Sequence, residues 1–161
     1  MKSVMQINKT TLGEQAFFKG LPPAHLEMLA REAMPMEFKA GELIFNEGGV
    51  ANRLYLLLSG KVVLEAPTDL EHEPVAIETI GAGSMLGWSW LFPPYYWHFD
   101  ARALTPVKAI FFYGTRLREQ CESDHELGYE LMKRVSGVVI ERLQATRRHL
   151  AEHNTTLLMP I

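Results

Sequence analysis

The 161-residue chain has a mass of 18.3 kDa, with 47% hydrophobic and 22% charged residues. This length suits one globular domain that buries about two-thirds of its unfolded surface. Sixteen Lys and Arg residues against nineteen Asp and Glu residues give a formal net charge of -3, which excludes the overall basic charge of a typical nucleic-acid-binding protein. The single cysteine, Cys121, excludes an internal disulfide and an all-cysteine metal site, and predicts a reducing, cytoplasmic location.

The longest uncharged stretch runs from Thr79 to Phe99. It contains several glycines and the pair Pro93-Pro94, so it cannot form a continuous membrane helix. The N-terminal twenty residues are too polar for the apolar core of a secretory signal. We therefore expect neither export nor a membrane partner.

Two kinds of element are predicted in the first two-thirds of the chain. Residues 14–34 predict two short helices, because apolar residues cluster on either side of Pro22-Pro23. From about residue 36 to residue 113, short β-prone runs alternate with turn signals such as Ser59-Gly60. Strands with turns about every 8–12 residues are typical of an all-β barrel or sandwich.

The last third predicts one long amphipathic helix over about residues 124–150. Ser123 or Asp124 is a suitable residue to cap its start. Apolar residues recur along the helix at spacings of three, four or seven, and they include Leu131, Val135, Val138 and Leu143. Such a stripe favours pairing with a second copy, so we expect a homodimer through this helix.

The order of these elements, with the motifs AGELIFNEGGVANRLYLLLSGKVVL and GAGSMLGWSWLF, resembles the cyclic nucleotide-binding domain of catabolite-activator and FNR-type bacterial regulators. The resemblance extends from about Phe17 to Leu150. It implies a mainly β fold with flanking helices: a double-stranded β-helix, or jelly roll, with N-terminal helices and a long C-terminal helix. Residues 1–161 would then form a single cyclic nucleotide-binding-like domain.

In that family, a phosphate-binding cassette holds the cyclic phosphate on backbone amides, where exposed N–H groups favour an anion. Gly87 matches the glycine of the cassette, but Trp88 stands at the position of the ribose-binding glutamate and Trp97 at that of the phosphate-binding arginine. Losing the arginine removes a charge-assisted contact of about 1.5–3 kcal/mol. His98 and Arg102 are the nearby basic side chains that could replace it.

The resemblance therefore implies a degenerate ligand site. Its candidate residues are Gly87, Trp88, Ser89, Trp90, Trp97, His98 and, from the helix motif RLQAT, Thr146. A threonine within a helix more often bonds the carbonyl four residues earlier. The tryptophans could stack a planar ligand, fill the former ligand cavity themselves, or present an aromatic patch to a partner protein.

Catalysis is not expected. The six histidines are scattered, without the convergent spacing of a metal site, and Cys121 lies apart from any histidine motif. A metal-dependent β-roll enzyme is the weakest alternative. We expect no cofactor beyond a possible cyclic nucleotide ligand.

These features predict a sensory or regulatory module. Three functions remain open for it: a cyclic AMP or cyclic GMP sensor, a sensor of another ligand, or a constitutive interaction domain. About eleven residues follow Leu150, whereas the DNA-reading domain of the resembled family would need roughly 60 further residues. We therefore expect no DNA-binding domain, and output through a separate effector protein.

Overall fold

The computed structural model describes residues 7–67 and 73–153. Over these ranges the helices are α1 (Lys9–Gly13), α2 (Pro23–Glu32), α3 (Gly114–Ser123) and α4 (His125–His153), with 3₁₀ helices at Ala16–Phe18 and Ser89–Leu91. The strands are β1 (Met34–Phe38), β2 (Leu43–Phe45), β3 (Arg53–Ser59), β4 (Val62–Ala66), β5 (Val75–Ile80), β6 (Met85–Leu86), β7 (Asp100–Ala103) and β8 (Val107–Tyr113).

The strands form two antiparallel four-stranded sheets, ordered β1-β8-β3-β6 and β2-β7-β4-β5. This arrangement confirms the predicted mainly β fold with flanking helices and a long C-terminal helix. Glycines with positive φ lie in several of the turns between strands, including Gly41, Gly60 and Gly83. At Gly60, φ is 93° and a Cβ atom would lie 2.3 Å from the carbonyl oxygen of Pro106, so only glycine fits.

Two hydrophobic cores share strands β3 and β8, because successive side chains of a strand point to opposite faces. Tyr55 and Leu57 of β3 face one core, and Leu54 and Leu56 face the other. The roll core, between the two sheets, includes Phe38, Phe45, Tyr55, Leu57, Val62, Leu64, Trp97, Phe99 and Phe111. The helical core, between the first sheet and the helices, includes Leu12, Phe18, Leu29, Leu54, Leu56, Trp90, Phe112, Leu117, Leu127, Leu131 and Val135.

The predicted range 14–34 holds two short helices, and a further helix that was not predicted, α1, precedes it. Helix α1 precedes Glu14, because the side chain of Asn8 accepts a hydrogen bond from the backbone N–H of Thr11 and caps the helix there. Residues 14–34 then hold a 3₁₀ helix and α2, whose start follows Pro22. Phe17 and Phe18 of this segment are buried in the helical core.

Asp124 marks the start of the long helix. Its Oδ1 accepts a hydrogen bond from the backbone N–H of Leu127 at 3.2 Å, as a capping residue does. Its Oδ2 lies 3.0 Å from Nε2 of His25, which links α2 to the junction between α3 and α4. The Leu127 N–H bond, together with the His25 contact, holds the pKa of Asp124 below its ordinary value.

The apolar residues of α4 serve two different surfaces. Leu131 and Val135, which we expected to contact a second copy, are fully buried in the helical core of their own chain. They pack there because they lie on the side of the helix that faces the roll. Tyr129, Met132, Leu143 and Leu150 are instead exposed on a neighbouring face.

Candidate functional site

The cassette segment, residues 87–98, lies between β6 and β7. It begins at Gly87, whose φ of 90° is accessible to glycine. The 3₁₀ helix Ser89–Leu91 follows, then a cis Pro93-Pro94 bond and Tyr95 with a φ of 62°. This path sends its three tryptophans to three different surroundings.

Trp97 lies inside the roll core. Its side chain is 5% exposed and stacks on Phe45, with ring centroids 3.9 Å apart and an interplanar angle of 11°. A Cβ atom on Gly87 would lie 2.7 Å from the indole ring, so the missing side chain of Gly87 leaves room for it. The Trp97 backbone is fixed by hydrogen bonds with Gly48 and Gly49.

Trp88, Ser89 and His98 form a small group at the edge of both cores. The Trp88 and His98 rings stack with centroids 4.9 Å apart. Nδ1 of His98 lies 2.9 Å from the hydroxyl of Ser89, a buried side chain. Within the described residues, the buried Nε1 of Trp88 has no hydrogen-bond partner, although a buried donor normally has one.

Trp90 points away from the roll core and is fully buried in the helical core. A Cβ atom on Gly114 would lie 2.8 Å from Cβ of Trp90, so the start of α3 packs directly on this residue. Arg118 of α3 donates a hydrogen bond to the carbonyl oxygen of Trp90. Its guanidinium also lies 4.1 Å from the ring centroid of Tyr95, a cation–π contact. These contacts hold the cassette segment against α3.

The two remaining polar candidates have partners within the chain. The hydroxyl of Thr146 donates to the carbonyl oxygen of Arg142, four residues earlier, at 2.9 Å. This is the ordinary bond of a threonine in a helix. Arg102 donates to Glu65 at 3.2 Å and to the carbonyl oxygen of Gly41 at 3.0 Å. Its charge is therefore used within the sheet of β7.

Groups that could bind a metal ion or act as a nucleophile are few in the ranges 7–67 and 73–153. No three His, Cys, Asp or Glu side chains there lie close enough to hold a metal ion. Burial raises the pKa of the Cys121 thiol to about 11, with the carboxylates of Asp124 and Glu122 adding to the shift. The thiol is therefore protonated at neutral pH, and the thiolate is the reactive form. In the same ranges, every helix is too short or too polar to span a bilayer.

A cavity beside α4 is a feature that the sequence did not predict. It measures about 420 Å³ and lies between α4, the end of β5 and the β5–β6 turn. Arg134, Gly137, Glu141 and Arg142 contribute the helix side of its wall. The one signal in the sequence is Gly137, since glycine is unfavourable inside a helix.

Comparison with known proteins identifies the class to which this fold and site belong. The sequence profile of the family described as "Cyclic nucleotide-binding domain" matches residues 35–124. The match covers more than half of the chain, from β1 to the residue that caps α4. The chain belongs to the cyclic nucleotide-binding domain family.

Individual relatives extend the likeness beyond the matched segment. The CRP-like cAMP-activated global transcriptional regulator of Mycobacterium tuberculosis is 28% identical over 143 residues, covering 88% of this chain and 61% of the relative. A crystal structure from Geobacter metallireducens GS-15, named for cyclic nucleotide binding, is 33% identical with a TM-score of 0.76, covering 85% of this chain and 98% of that one. The N-terminal domain of a transcriptional regulator from Streptomyces coelicolor A3(2) shares the fold, with 24% identity, a TM-score of 0.64, and coverage of 92% and 95%.

Proposed function

We propose that this chain is a non-catalytic regulatory module. Its roll is filled by its own aromatic side chains, and the module binds partners without a cyclic nucleotide. One observation carries the proposal: the indole of Trp97 is stacked on Phe45 inside the roll core. By the family resemblance, Trp97 stands where the phosphate-binding arginine is expected. A bulky buried ring therefore takes the position of the charge on which a cyclic phosphate depends.

The surrounding charges support the same proposal. Arg102 is engaged by Glu65 and a backbone carbonyl, and His98 is bonded to Ser89. Neither side chain is free to replace the missing guanidinium without breaking a contact of the fold. A buried phosphate without a cationic partner is unfavourable, because desolvating a charge requires compensating contacts.

A homodimer through α4 is part of the proposal. A heptad pattern of alternate three- and four-residue steps runs along one face of the helix, through Tyr129, Met132, Ser136, Val139, Leu143, Thr146 and Leu150. The large apolar members Tyr129, Met132, Leu143 and Leu150 are exposed in the single chain. Pairing of two such stripes would cover them. A separate effector protein would then receive the output of a cytoplasmic, single-domain dimer.

Sedimentation velocity tests the dimer. Leu143→Glu places a charge in the middle of the stripe and is expected to convert a dimer to a monomer. Gln144→Glu adds the same charge one residue away, off the heptad positions, and is the matched control. A monomeric parent protein, or a Leu143→Glu variant that remains dimeric, would contradict pairing through this stripe.

The proposed ligand independence is tested by titration with cyclic AMP and cyclic GMP. Trp88 and Trp97 report on the cassette segment by intrinsic fluorescence, and the heat of binding gives an independent measurement. We expect a flat response up to millimolar nucleotide. The double variant Trp88→Glu/Trp97→Arg restores both charges of the family site, and we expect it to bind cyclic AMP at least about tenfold more tightly than the parent chain, consistent with one charge-assisted hydrogen bond.

A second candidate is a cyclic nucleotide sensor in which Trp97 moves out when ligand enters. The cAMP-activated regulator that is 28% identical over 143 residues favours it, as does the retained cassette glycine, Gly87. Saturable quenching and heat at micromolar cyclic AMP in the parent chain would establish this candidate and overturn ligand independence.

A further inference from the structure

The cavity beside α4 is large enough for a small organic molecule. Its volume of about 420 Å³ lies within the range of about 300–1,000 Å³ usual for ligand pockets. Along α4 its lining extends from Arg134 to Arg142, a rise of about 12 Å along the helix.

Each positive charge of the lining is already met by a carboxylate. Arg142 donates to Glu78 at 3.1 Å and to the carbonyl oxygen of Met85 at 3.1 Å. Arg134 pairs with Glu130 and donates to the carbonyl oxygen of Lys19 at 2.7 Å. A dianionic ligand such as a phosphate ester would bring two negative charges to arginines that already have carboxylate partners, whereas a single carboxylate needs only the N–H donors that Arg142 has left over. The charge pattern favours a ligand without net charge.

Two groups remain available to such a ligand. Across the part of the chain described by the structure, no hydrogen bond or ion pair engages the carboxylate of Glu141, which is exposed at the cavity wall. Arg142 has five N–H donors, and two are used by Glu78 and Met85. One acceptor with negative charge and one set of cationic donors thus lie on adjacent residues of the same helix.

The rest of the wall offers apolar contact and free space. Phe17, Met85 and Val138 supply apolar surface. Gly137 lies between the charged groups along the helix, and a Cβ atom there would meet nothing within 4 Å. Because any other residue except proline is more favourable in a helix interior and alanine would fit, neither packing nor helix stability calls for glycine at this position. Its effect is to leave the helix surface open to the cavity.

We propose that this cavity binds a small zwitterion of the amino-acid type with an apolar side chain. The ammonium group would be held by Glu141 and the carboxylate by Arg142. The side chain would lie over Gly137, against Phe17, Met85 and Val138. This inference is independent of the proposed function, since it concerns a site outside the cassette segment.

Binding here is compatible with the dimer. At 3.6 residues per turn, Glu141 and Leu143 lie about 160° apart around the helix, and Gly137 and Leu143 about 120° apart. The cavity and the exposed apolar stripe therefore occupy different sides of α4. A ligand next to the Glu78–Arg142 ion pair would act on the contact between α4 and β5 without covering the dimer stripe.

Calorimetric titration of the full chain with L-phenylalanine and L-leucine tests the site. We expect saturable binding of at least one of them. Phenethylamine lacks the carboxylate and 3-phenylpropionate lacks the ammonium group, so each should bind at least about tenfold more weakly than L-phenylalanine, the loss of one charge-assisted hydrogen bond. Absence of heat with both amino acids up to millimolar concentration would overturn the proposal. Equal binding of either one-charge analogue would overturn the zwitterion class.

Variants then locate the site. Gly137→Leu fills the cavity and is expected to abolish binding, whereas Gly137→Ala adds one methyl group in open space and should retain it. Glu141→Gln should weaken binding about tenfold, and Glu152→Gln, on the same helix but outside the cavity, should leave it unchanged. Binding that survives Gly137→Leu with full affinity would also overturn the proposal. Thermal unfolding of each variant verifies that it is folded.

Discussion

The roll core and the helical core each receive one tryptophan from the same short cassette segment, but under different constraints. Trp97 enters the roll core through the space left by Gly87 and rests on a single parallel ring, Phe45. Trp90 is enclosed in the helical core, with α3 packed directly on its Cβ atom. Trp90 is therefore a structural residue of the fold. Trp97 stands at the position that the family resemblance assigns to a phosphate-binding arginine.

Under the proposed function, the comparison explains how a fold of this family can persist without a cyclic nucleotide. A jelly roll that loses a bound molecule has an internal cavity, and an unfilled cavity lowers stability in proportion to its volume. Under that proposal, an aromatic side chain at the arginine position would fill that space and would avoid an uncompensated buried charge. The helical core needs no such replacement, because helix and sheet side chains already fill it.

The largest expected effect is that of Trp90→Ala. The side chain is fully buried, and truncating a buried Trp costs about 3–5 kcal/mol. We expect a loss at the upper end of that range in urea unfolding, because α3 already contacts the Cβ atom of Trp90 and cannot collapse onto the vacated space. Because the site is fully enclosed, we expect no rescue by small aromatic molecules. Trp90→Phe keeps most of the apolar contact and should lose less than half as much. A near-neutral Trp90→Ala would contradict the structural role.

Trp97→Ala is expected to lower the free energy of unfolding, and a small aromatic molecule is expected to restore part of it. We expect a loss of about 3 kcal/mol in the free energy of unfolding, at the lower end for a large aromatic, because an apolar cavity opens beside Phe45. An engineered apolar cavity can bind a small aromatic molecule, so millimolar indole should raise the melting temperature of this variant and leave the parent chain and Trp90→Ala unchanged. Indole stabilisation of both variants, or of neither, would remove the distinction between the two cores.

Two glycine substitutions at the edge of the roll core distinguish the effect of a steric clash from the effect of backbone strain. Gly87 and Gly83 have φ values of 90° and 88°, so alanine is strained at either position, at a cost of about 1–2 kcal/mol. A Cβ atom at Gly87 would also overlap the Trp97 ring, whereas at Gly83 it meets nothing within 4 Å. We expect Gly87→Ala to destabilise the fold by about 1–3 kcal/mol more than Gly83→Ala.

The double variant Gly87→Ala/Trp97→Ala sharpens that test. With the indole gone, the added methyl group has room, so the extra cost of Gly87→Ala should largely disappear. Urea unfolding of the four proteins in this cycle measures the coupling free energy between the two positions. Additive effects would mean that Gly87 does not make room for Trp97.

The sequence predicted the fold because its signals are local. Alternating apolar residues, turn glycines such as Gly60 and helical spacing after Asp124 each act over a few residues. The surroundings of Trp88, Trp90 and Trp97 could not be predicted, because apolar residues do not recur at a regular spacing in the cassette segment. The path of this segment depends instead on the backbone conformation at Gly87 and Tyr95. The cavity was missed for a related reason. It joins residues as distant in the sequence as Phe17 and Gly137, and no motif links them.

The smallest expected effect concerns a charge at the junction between α3 and α4, beside the helical core. Asp124 has a lowered pKa because it accepts the Leu127 N–H bond and contacts His25. A carboxyl group whose pKa is lower in the folded state than in the unfolded state contributes stability above its ordinary pKa, about 3.9. That contribution is lost as the pH falls through its folded-state pKa.

Asp124→Asn keeps a side chain that can cap the helix but removes the charge. We therefore expect a small decrease in the urea midpoint at pH 7 that shrinks below pH 4 and disappears once the Asp124 carboxyl is protonated in both states. Glu122→Gln, two residues away, removes a similar charge that makes no cap and is the control. A decrease of constant size at every pH would mean that the shape of Asp124, and not its charge, supports the junction between α3 and α4.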